Sequence, residues 1–272
     1  MHAVGSDRGR PSGEALGAVA HRLADAARAV TLPLFRSPRL GTDNKASAGF
    51  DPVTQADREA EAAMRALLAE LRPDDAILGE EMGATPGTSG LTWVLDPVDG
   101  TRAFICGAPS WGTLIAVMDD SGPIYGMIDQ PFTGERFEGG HGLAATLTGR
   151  GPAQALAVRP HEALSGATLL TTYPEVGDAA EAAAFRRVAG QVRLVRHGLD
   201  CYAYALLAAG HVDLVIEAGL QSYDIAAPIA VIAAAGGVVT DWQGRPAHGG
   251  GQVLAAASPA LHRAAMAALA GG

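Results

Sequence analysis

The stretch that decides the fold is TWVLDPVDGT, residues 92–101, in which an apolar run ends directly in two aspartates. Thr92–Leu95 has the composition of a short buried strand, and a strand end is a rigid base from which side chains can be aimed. Asp96 and Asp99 lie three residues apart with Pro97 between them, so both carboxylates can converge on one site. Carboxylate oxygens are preferred ligands of Mg²⁺. The alternative is a surface Asx turn, since Asp, Pro and Gly are common turn formers.

Three more acidic positions lie where predicted strands or helices begin or end. Glu80 follows a short apolar strand, Asp57 falls in the first turn of a predicted helix, and Asp224 begins an Ala/Ile-rich helix. Each has an ordinary explanation by itself: a solvated loop, a favourable charge at a helix N-terminus, and a helix N-cap, respectively. With Asp96 and Asp99, however, they form an ordered set of acidic strand and helix ends, which favours a site for divalent cations.

The segments on either side of residues 92–101 predict a layered α+β fold of the α/β class. Helical spacing of apolar residues predicts helices over 12–35 and 54–71, joined by an irregular loop over 36–53. Strands are predicted at 76–79, 92–95, 112–118, 123–130 and 135–138, with weaker strands within 142–158, and the turns between them favour an antiparallel meander. Further along, strands at 167–172, 192–196, 212–217, 237–241 and 252–256 alternate with helices at 178–189, 200–209, 224–235 and 259–270. This alternation is typical of a sheet covered by helices.

Composition and charge exclude several classes of protein. The chain has 272 residues, 48% hydrophobic and 18% charged, so it can form a closed core. Its net charge is −9 and it has no long Lys/Arg run, which argues against a nucleic-acid partner. No apolar stretch is long enough for a membrane span, and no signal segment is visible. Cys106 and Cys201 form no CxxC pattern, so we expect reduced thiols in a cytoplasmic protein.

Five segments of the chain carry a resemblance to a known family. They are DPVTQAD at 51–57, GEE at 79–81, WVLDPVDGT at 93–101, YDIAA at 223–227 and GG at 236–237. In this order they resemble the inositol monophosphatase superfamily of Mg²⁺-dependent, lithium-sensitive phosphatases, and the resemblance covers about residues 14–270. It implies the layered αβαβα sandwich of that family and a homodimer.

The resemblance implies metal ligands residue by residue. The implied ligands of the activating Mg²⁺ are Glu80, Asp96 and the carbonyl oxygen of Val98, and those of a second Mg²⁺ are Asp96, Asp99 and Asp224. Glu80 would also help to hold a third, weakly bound ion, so two or three Mg²⁺ are implied per active site. Tyr223 stands where the family often has Trp, a departure that removes no ligand.

The same resemblance implies the catalytic residues. The backbone N–H groups of Gly100 and Thr101 correspond to the phosphate cradle. The Thr101 hydroxyl, supported by Asp57, corresponds to the pair that positions or deprotonates the attacking water, and Glu80 is counted with them as catalytic. Hydrolysis of phosphate monoesters is among the slowest uncatalysed reactions, so it needs the electrostatic help that such a site supplies.

Two further acids bear on the substrate. Asp200, in GLDCYAY at 198–204, stands where generic inositol-type members have a neutral residue, and Glu217 matches a substrate-contacting glutamate of the family. Two acids favour a cationic leaving group. Residues 104–116, 128–131 and 196–204 resemble the histidinol-phosphatase branch, which implies hydrolysis of L-histidinol phosphate in histidine biosynthesis. The alternative for Asp200 is a helix N-cap.

Other functions stay open from the sequence. A phosphatase for inositol-1-phosphate or another polyol phosphate is the main alternative. A 3′-phosphonucleotide phosphatase would need basic and stacking groups, and a regulatory binding protein would not need every metal ligand. His197 is a candidate substrate contact. Lys45 is the only lysine and is a candidate for the metal or phosphate region. Tyr202 and Tyr204 are expected to pack in the core.

These expectations together predict one phosphatase domain over 1–272 that acts on a small phosphorylated metabolite. Residues 1–11 are expected to be disordered. Residues 12–158 form the α+β half with the metal site, and residues 159–272 form the α/β half with the residues that select the substrate.

Overall fold

The computed structural model describes residues 11–38, 40–44, 52–140 and 142–271. The expectations for Lys45 and for disorder over residues 1–10 lie outside the described residues. Pro11 is described and leads into the first helix.

Two N-terminal helices pack on one face of a large sheet. Helix α1 covers Gly13–Leu34, with the Ser12 hydroxyl accepting the Ala15 N–H at its start, and α2 covers Gln55–Leu71. Their apolar faces share one core cluster with the strands beneath them. Between the helices, β1 (Thr42–Asn44) pairs antiparallel with β2 (Pro52–Thr54), where the sequence predicted only a loop. These short strands have no alternating apolar pattern, so local sequence could not reveal them.

The large sheet has the antiparallel meander that the sequence predicted. Its strands are β3 (Ala76–Gly79), β4 (Gly83–Thr85), β5 (Thr92–Asp99), β6 (Gly112–Asp119), β7 (Gly122–Gln130), β8 (Glu135–Gly140), β9 (Leu143–Thr148) and β10 (Gln154–Ala155). Their order is β10-β9-β8-β7-β6-β5-β3-β4, and β3 and β5 form a parallel pair while the other neighbours are antiparallel. Two details differ from expectation: β4 was missed, and β5 continues through Asp99 instead of ending at Leu95.

The second half forms a mixed sheet with helices on both faces. Its strands are β11 (Thr168–Thr171), β12 (Leu194–His197), β13 (Leu214–Leu220), β14 (Val238–Thr240) and β15 (Gly251–Ala256), in the order β12-β11-β13-β15-β14. Its helices are α4 (Ala179–Ala189), α5 (Tyr202–Ala208), α6 (Ser222–Ala234) and α7 (Pro259–Ala270), and the short α3 (Thr101–Cys106) precedes them in the large-sheet half.

The middle layer explains why α6 is apolar on every side after Asp224. One core cluster joins Val94 and Leu114 of the large sheet, Ile225 of α6, and Val215 and Val253 of the smaller sheet. Helices α5 and α6 therefore lie between the two sheets, and a helix buried on all sides has no polar face. Helices α4 and α7 cover the outer face of the smaller sheet, which completes the αβαβα order of layers. Among the described helices, none is both long and apolar enough to cross a membrane.

Candidate active site

The carboxyl end of β5 is bent by a register shift that brings two aspartates to one side. Strand β5 pairs with β6 up to Asp96, and the pairing resumes at Asp99 after an irregularity. The Thr113 hydroxyl of β6 donates to the Pro97 carbonyl at 2.8 Å and holds this bulge. Bulges often re-aim side chains next to functional sites. Here, oxygens of Asp96, Asp99 and Asp224, the last from the start of α6, lie within 4.8 Å of one another.

Backbone N–H groups fix the orientation of these three carboxylates. Asp99 accepts the Cys201 N–H at 2.7 Å, and Asp96 accepts the Val98 N–H at 3.1 Å. Asp224 is the third residue of α6 and accepts the Gln221 N–H at 2.7 Å, in a capping box in which Gln221 is the N-cap. Asp224 is therefore not itself the N-cap, and it keeps a second oxygen for the shared site.

The three carboxylates are close enough to repel one another when they are ionised. Burial raises the pKa of Asp96 well above its usual range, and the negative charges of Glu80, Asp99 and Asp224 add to the shift. Burial and the neighbouring Asp224 do the same to the pKa of Asp99, and burial raises the pKa of Asp224 to about 6. Among the described residues, no arginine or lysine forms an ion pair with Asp96, Asp99 or Asp224. An all-oxygen set of this kind suits Mg²⁺.

The turn that follows Glu80 is held by Glu61, a residue that the sequence did not single out. The Glu80 N–H donates to the Leu95 carbonyl at 3.1 Å, directly after β3. On α2, the fully buried Glu61 accepts the Glu81 N–H at 2.7 Å and the Arg65 guanidinium at 2.7 Å. A Cβ at Gly79 would lie 2.1 Å from a Glu61 oxygen, so a larger residue there would displace the Glu61 carboxylate.

A signal for Glu61 was present in the sequence. It falls on the apolar face of α2, in line with the buried Ala60, Met64 and Leu68. A charged residue is almost never fully buried unless it has partners, so a glutamate on this stripe indicates a polar role. The physical role is to fix the turn that carries Glu80.

Thr101 begins α3 and joins the bulge of β5 to α2. Its hydroxyl lies 3.2 Å from a carboxylate oxygen of Asp57 and 3.2 Å from the carbonyl oxygen of Val98. Asp57 is fully buried and also accepts the N–H and the hydroxyl of Thr54. Burial raises its pKa, which these hydrogen bonds partly offset. The structure therefore brings Asp57, Thr101 and Val98 to one place.

A pocket of about 240 Å³ opens next to the three aspartates. Its lining includes Asp99, Gly100, Thr172, Tyr173, Asp200, Cys201, Tyr204, Glu217 and Asp224. Gly100 has φ +82°, and a Cβ there would lie 2.8 Å from the Asp200 carboxyl carbon, so the approach of these two segments depends on glycine. A larger cavity of about 520 Å³ lies around Phe132, Glu135 and Tyr202, and it contains none of the predicted site residues.

Asp200 is not the helix cap that the sequence left open. Helix α5 begins at Tyr202, with Cys201 as its N-cap residue and no side-chain cap. The Asp200 carboxylate instead accepts the hydroxyl of the buried Ser110 at 2.8 Å, in a backbone conformation with φ +45°. Burial raises the pKa of Asp200, and this hydrogen bond lowers it.

Glu217 lies on the same pocket from the side of the smaller sheet. Its carboxylate accepts the Thr172 N–H at 2.7 Å, the Thr172 hydroxyl at 2.9 Å and the Thr171 hydroxyl at 3.2 Å. It is 6% exposed, and burial raises its pKa to about 7. His197, by contrast, is exposed at the end of β12 and does not line the pocket. Lys45 lies outside the described residues.

Comparison with known proteins gives a consistent result. A sequence model described as "Inositol monophosphatase family" matches residues 14–271. The chain is 43% identical over 230 residues to "Bifunctional phosphatase IMPL2, chloroplastic" of Arabidopsis thaliana. The matched region covers 84% of this chain and 64% of that longer relative. It is 32% identical over 255 residues to a histidinol-phosphatase of Chlorobaculum parvum, covering 93% and 96% of the two chains. The solved structure of an inositol monophosphatase from Zymomonas mobilis superimposes with a TM-score of 0.84 at 40% identity, covering 96% of this chain and all of that one.

Proposed function

The chain belongs to the inositol monophosphatase family of metal-dependent phosphatases, and from this premise we propose that it hydrolyses L-histidinol phosphate to L-histidinol and phosphate. The observation that carries the proposal is the pairing of Asp200 with Glu217 on one pocket beside the aspartates. Histidinol has an ammonium group and an imidazole, and carboxylates are strong partners for both when they are protonated. A polyol leaving group would not require two acids.

The proposed metal ligands are the residues that the family resemblance implies. Glu80, Asp96 and the Val98 carbonyl would hold the activating Mg²⁺, and Asp96, Asp99 and Asp224 would hold a second ion. Glu80 would also contribute to a third. When bound, Mg²⁺ ions supply a water of lowered pKa and stabilise charge on the leaving oxygen. The convergence of the three aspartates, with no arginine or lysine of the described residues paired to them, supports this assignment.

The chain's own residues would bind the phosphate and orient the water. The N–H groups of Gly100 and Thr101, at the start of α3, would donate to phosphate oxygens, since the first N–H groups of a helix lack intrahelical partners. The Thr101 hydroxyl, within 3.2 Å of Asp57, would orient the water and pass a proton toward that carboxylate. Glu80, held through the turn that Glu61 fixes, would complete the catalytic set.

We also propose that residues 12–271 act as a single phosphatase unit. The core cluster between the sheets contains residues of both halves, and the pocket takes Gly100 from one half and Glu217 from the other. A homodimer, a cytoplasmic location and sensitivity to lithium stay predictions from the family resemblance. Sedimentation velocity tests the homodimer, and a Li⁺ titration of the Mg²⁺-activated enzyme tests the sensitivity to lithium.

Hydrolysis of inositol-1-phosphate is the second candidate. The 40% identity to the Zymomonas mobilis inositol monophosphatase favours it, and Glu217 can also accept hydrogen bonds from hydroxyl groups. The two candidates differ in what they require of Asp200, because a neutral polyol gains little from an added negative charge.

The experiment compares kcat/KM for L-histidinol phosphate, inositol-1-phosphate, a 3′,5′-bisphosphonucleotide and fructose-1,6-bisphosphate, with Mg²⁺ and with EDTA. Asp200→Asn keeps an acceptor for Ser110 and tolerates the positive φ, which Ala would not. We expect it to lower kcat/KM for histidinol phosphate tenfold or more, because a charged hydrogen bond contributes about 1.5–3 kcal/mol, and to leave inositol-1-phosphate nearly unchanged.

Asp120→Asn is the matched control, since Asp120 is exposed in the β6–β7 turn, at the end of β6 remote from the pocket. A wild-type preference for inositol-1-phosphate would make the second candidate the function. An equal loss on both substrates in Asp200→Asn would reject a selecting role for that residue.

A further inference from the structure

One buried hydroxyl on the pocket wall has no hydrogen-bond partner. Tyr204, in the middle of α5, is 3% exposed, and its phenolic oxygen has no partner among the described residues. The sequence predicted that Tyr204 simply packs, and its ring does lie in the core between the two sheets. Buried polar side chains are almost always hydrogen-bonded, so an unpaired one calls for a physical explanation.

The neighbouring tyrosine shows that the helix itself does not impose this state. Tyr202, two residues earlier on α5, donates its hydroxyl to Glu135 at 2.7 Å and faces the separate cavity around Phe132. Tyr204 is one of the residues that line the pocket with Asp200 and Glu217. The two hydroxyls therefore have the same chemistry, but only that of Tyr202 has a hydrogen-bond partner among the described residues.

Tyr204 stays neutral in these surroundings. Burial raises the pKa of its phenol well above the usual range, and the negative charges of Glu217, Asp99 and Asp224 raise it further. A neutral phenol keeps its O–H and offers lone pairs on oxygen to a donor. A group with N–H donors and a positive charge is the ligand that this oxygen and the surrounding carboxylates can share.

Three side chains that line the pocket have acceptor positions left for a ligand such as an ammonium group. An ionised carboxylate has about four acceptor positions, and Glu217 uses three of them on Thr171 and Thr172. Asp200 uses one oxygen on Ser110. An ammonium has three N–H donors. Asp200, Glu217 and Tyr204 can each accept one.

We infer that the Tyr204 hydroxyl is the third acceptor for the ammonium of the leaving alcohol, which makes it a specificity-determining residue for phosphate esters of amino alcohols. The inference rests on the proposed function and deepens it. It explains why a core tyrosine keeps a hydroxyl that no described protein group satisfies, since the hydroxyl is satisfied when the amino alcohol binds.

The test pairs Tyr204→Phe with Tyr202→Phe as the matched control. In the ligand-free protein, Tyr204→Phe removes an unsatisfied buried hydroxyl, so we expect a higher Tm. Tyr202→Phe removes a hydroxyl that has a partner, so we expect an unchanged or lower Tm. With Mg²⁺ present, Tyr204→Phe should lower kcat/KM for histidinol phosphate about tenfold relative to inositol-1-phosphate, whereas Tyr202→Phe should leave the ratio unchanged.

A substrate analogue isolates the contact with the amine. The wild-type enzyme should prefer histidinol phosphate to its deamino analogue, 3-(imidazol-4-yl)propyl phosphate, and Tyr204→Phe should reduce that preference about tenfold. Calorimetric binding of the product L-histidinol should weaken by the same factor. An unchanged preference and unchanged product affinity in Tyr204→Phe would overturn the inference and leave Tyr204 a packing residue. If the proposed function itself is wrong, the wild-type enzyme prefers inositol-1-phosphate to histidinol phosphate, and the comparison of substrates shows this before any Tyr204 variant is measured.

Discussion

Two groups of buried carboxylates in this molecule differ in what balances their charge. Under α1, the fully buried Asp129 accepts two hydrogen bonds from Arg28, at 2.7 and 2.6 Å, and one from Arg136 at 2.7 Å. At the bulge of β5, Asp96 and Asp99 receive backbone N–H donors, and no described arginine or lysine forms an ion pair with them. The first group is a completed structural network. The second has no such partner among the described residues, and a bound cation would favour its ionised form.

This contrast separates a buried acid that stabilises from one that binds. A buried charge is tolerated when it is paired and hydrogen-bonded, and its pKa shifts when it is not. Burial and neighbouring carboxylates raise the pKa of Asp96 and Asp99, the direction expected of acids that lack a cation. Substitutions in the two groups should therefore have opposite consequences for activity and stability.

The largest effect should come from Asp99→Asn in the uncompensated group. We expect kcat/KM with Mg²⁺ to fall ~10²–10³-fold, because an amide is a poor ligand for a dication that stabilises the transition state. The asparagine oxygen can still accept the Cys201 N–H, and one negative charge is removed. The metal-free variant should therefore be at least as stable as the wild type in urea denaturation. Near-normal turnover at ordinary Mg²⁺ would reject Asp99 as a ligand.

The converse substitution is Asp129→Asn in the compensated group. It leaves two arginines without their carboxylate, so we expect the free energy of unfolding to fall by about 3 kcal/mol. Because Asp129 lies outside the pocket lining, kcat/KM of the folded fraction should stay within tenfold of wild type. Chemical denaturation and active-site titration measure the two quantities. A variant with wild-type stability and little activity would reverse the contrast between the groups.

Thr101→Ala sharpens the comparison within the site. The variant loses the hydroxyl that lies between Asp57 and Val98, while the backbone N–H groups of the start of α3 remain. We expect kcat to fall ~10²-fold with KM changed only a few fold, as for loss of a group that acts in proton transfer. Steady-state kinetics with histidinol phosphate gives both values. A change confined to KM would assign Thr101 to binding alone.

The smallest effect concerns pH and Glu217. Its pKa is raised from 4.5 to about 7 by burial, so between these pH values the native state binds more protons than the unfolded state. The metal-free protein should therefore lose stability as pH rises through this window. Glu217→Gln removes this contribution and should flatten the slope of the free energy of unfolding against pH. Identical slopes in the variant and the wild type would contradict the raised pKa.

Most of the fold follows from patterns that are local in the chain. Helix α2 is bounded by the Thr54 cap and Pro73, and the meander strands alternate with recognisable turns. The predicted bounds of these elements therefore agree with the structure to within a few residues. The bounds of β5 were missed because its last residues, Pro97 to Asp99, have turn composition and are kept in the strand by pairing with β6. Strand β4 was missed because its three residues are exposed and have no apolar pattern.

The sequence by itself determined which acids are candidates for the metal site and in what order they occur, because their spacing at the ends of predicted strands and helices is a local property of the chain. Only the tertiary structure decided which of them meet. Asp224 joins Asp96 through the packing of α6 beneath β5, and Glu61 supports the turn after Glu80 across 20 residues. The pairing of Asp129 with Arg28 spans 101 residues, so no local pattern could separate that neutralised acid from the uncompensated ones. The sign of the charge is local, but its compensation depends on distance in space, which long-range packing alone sets.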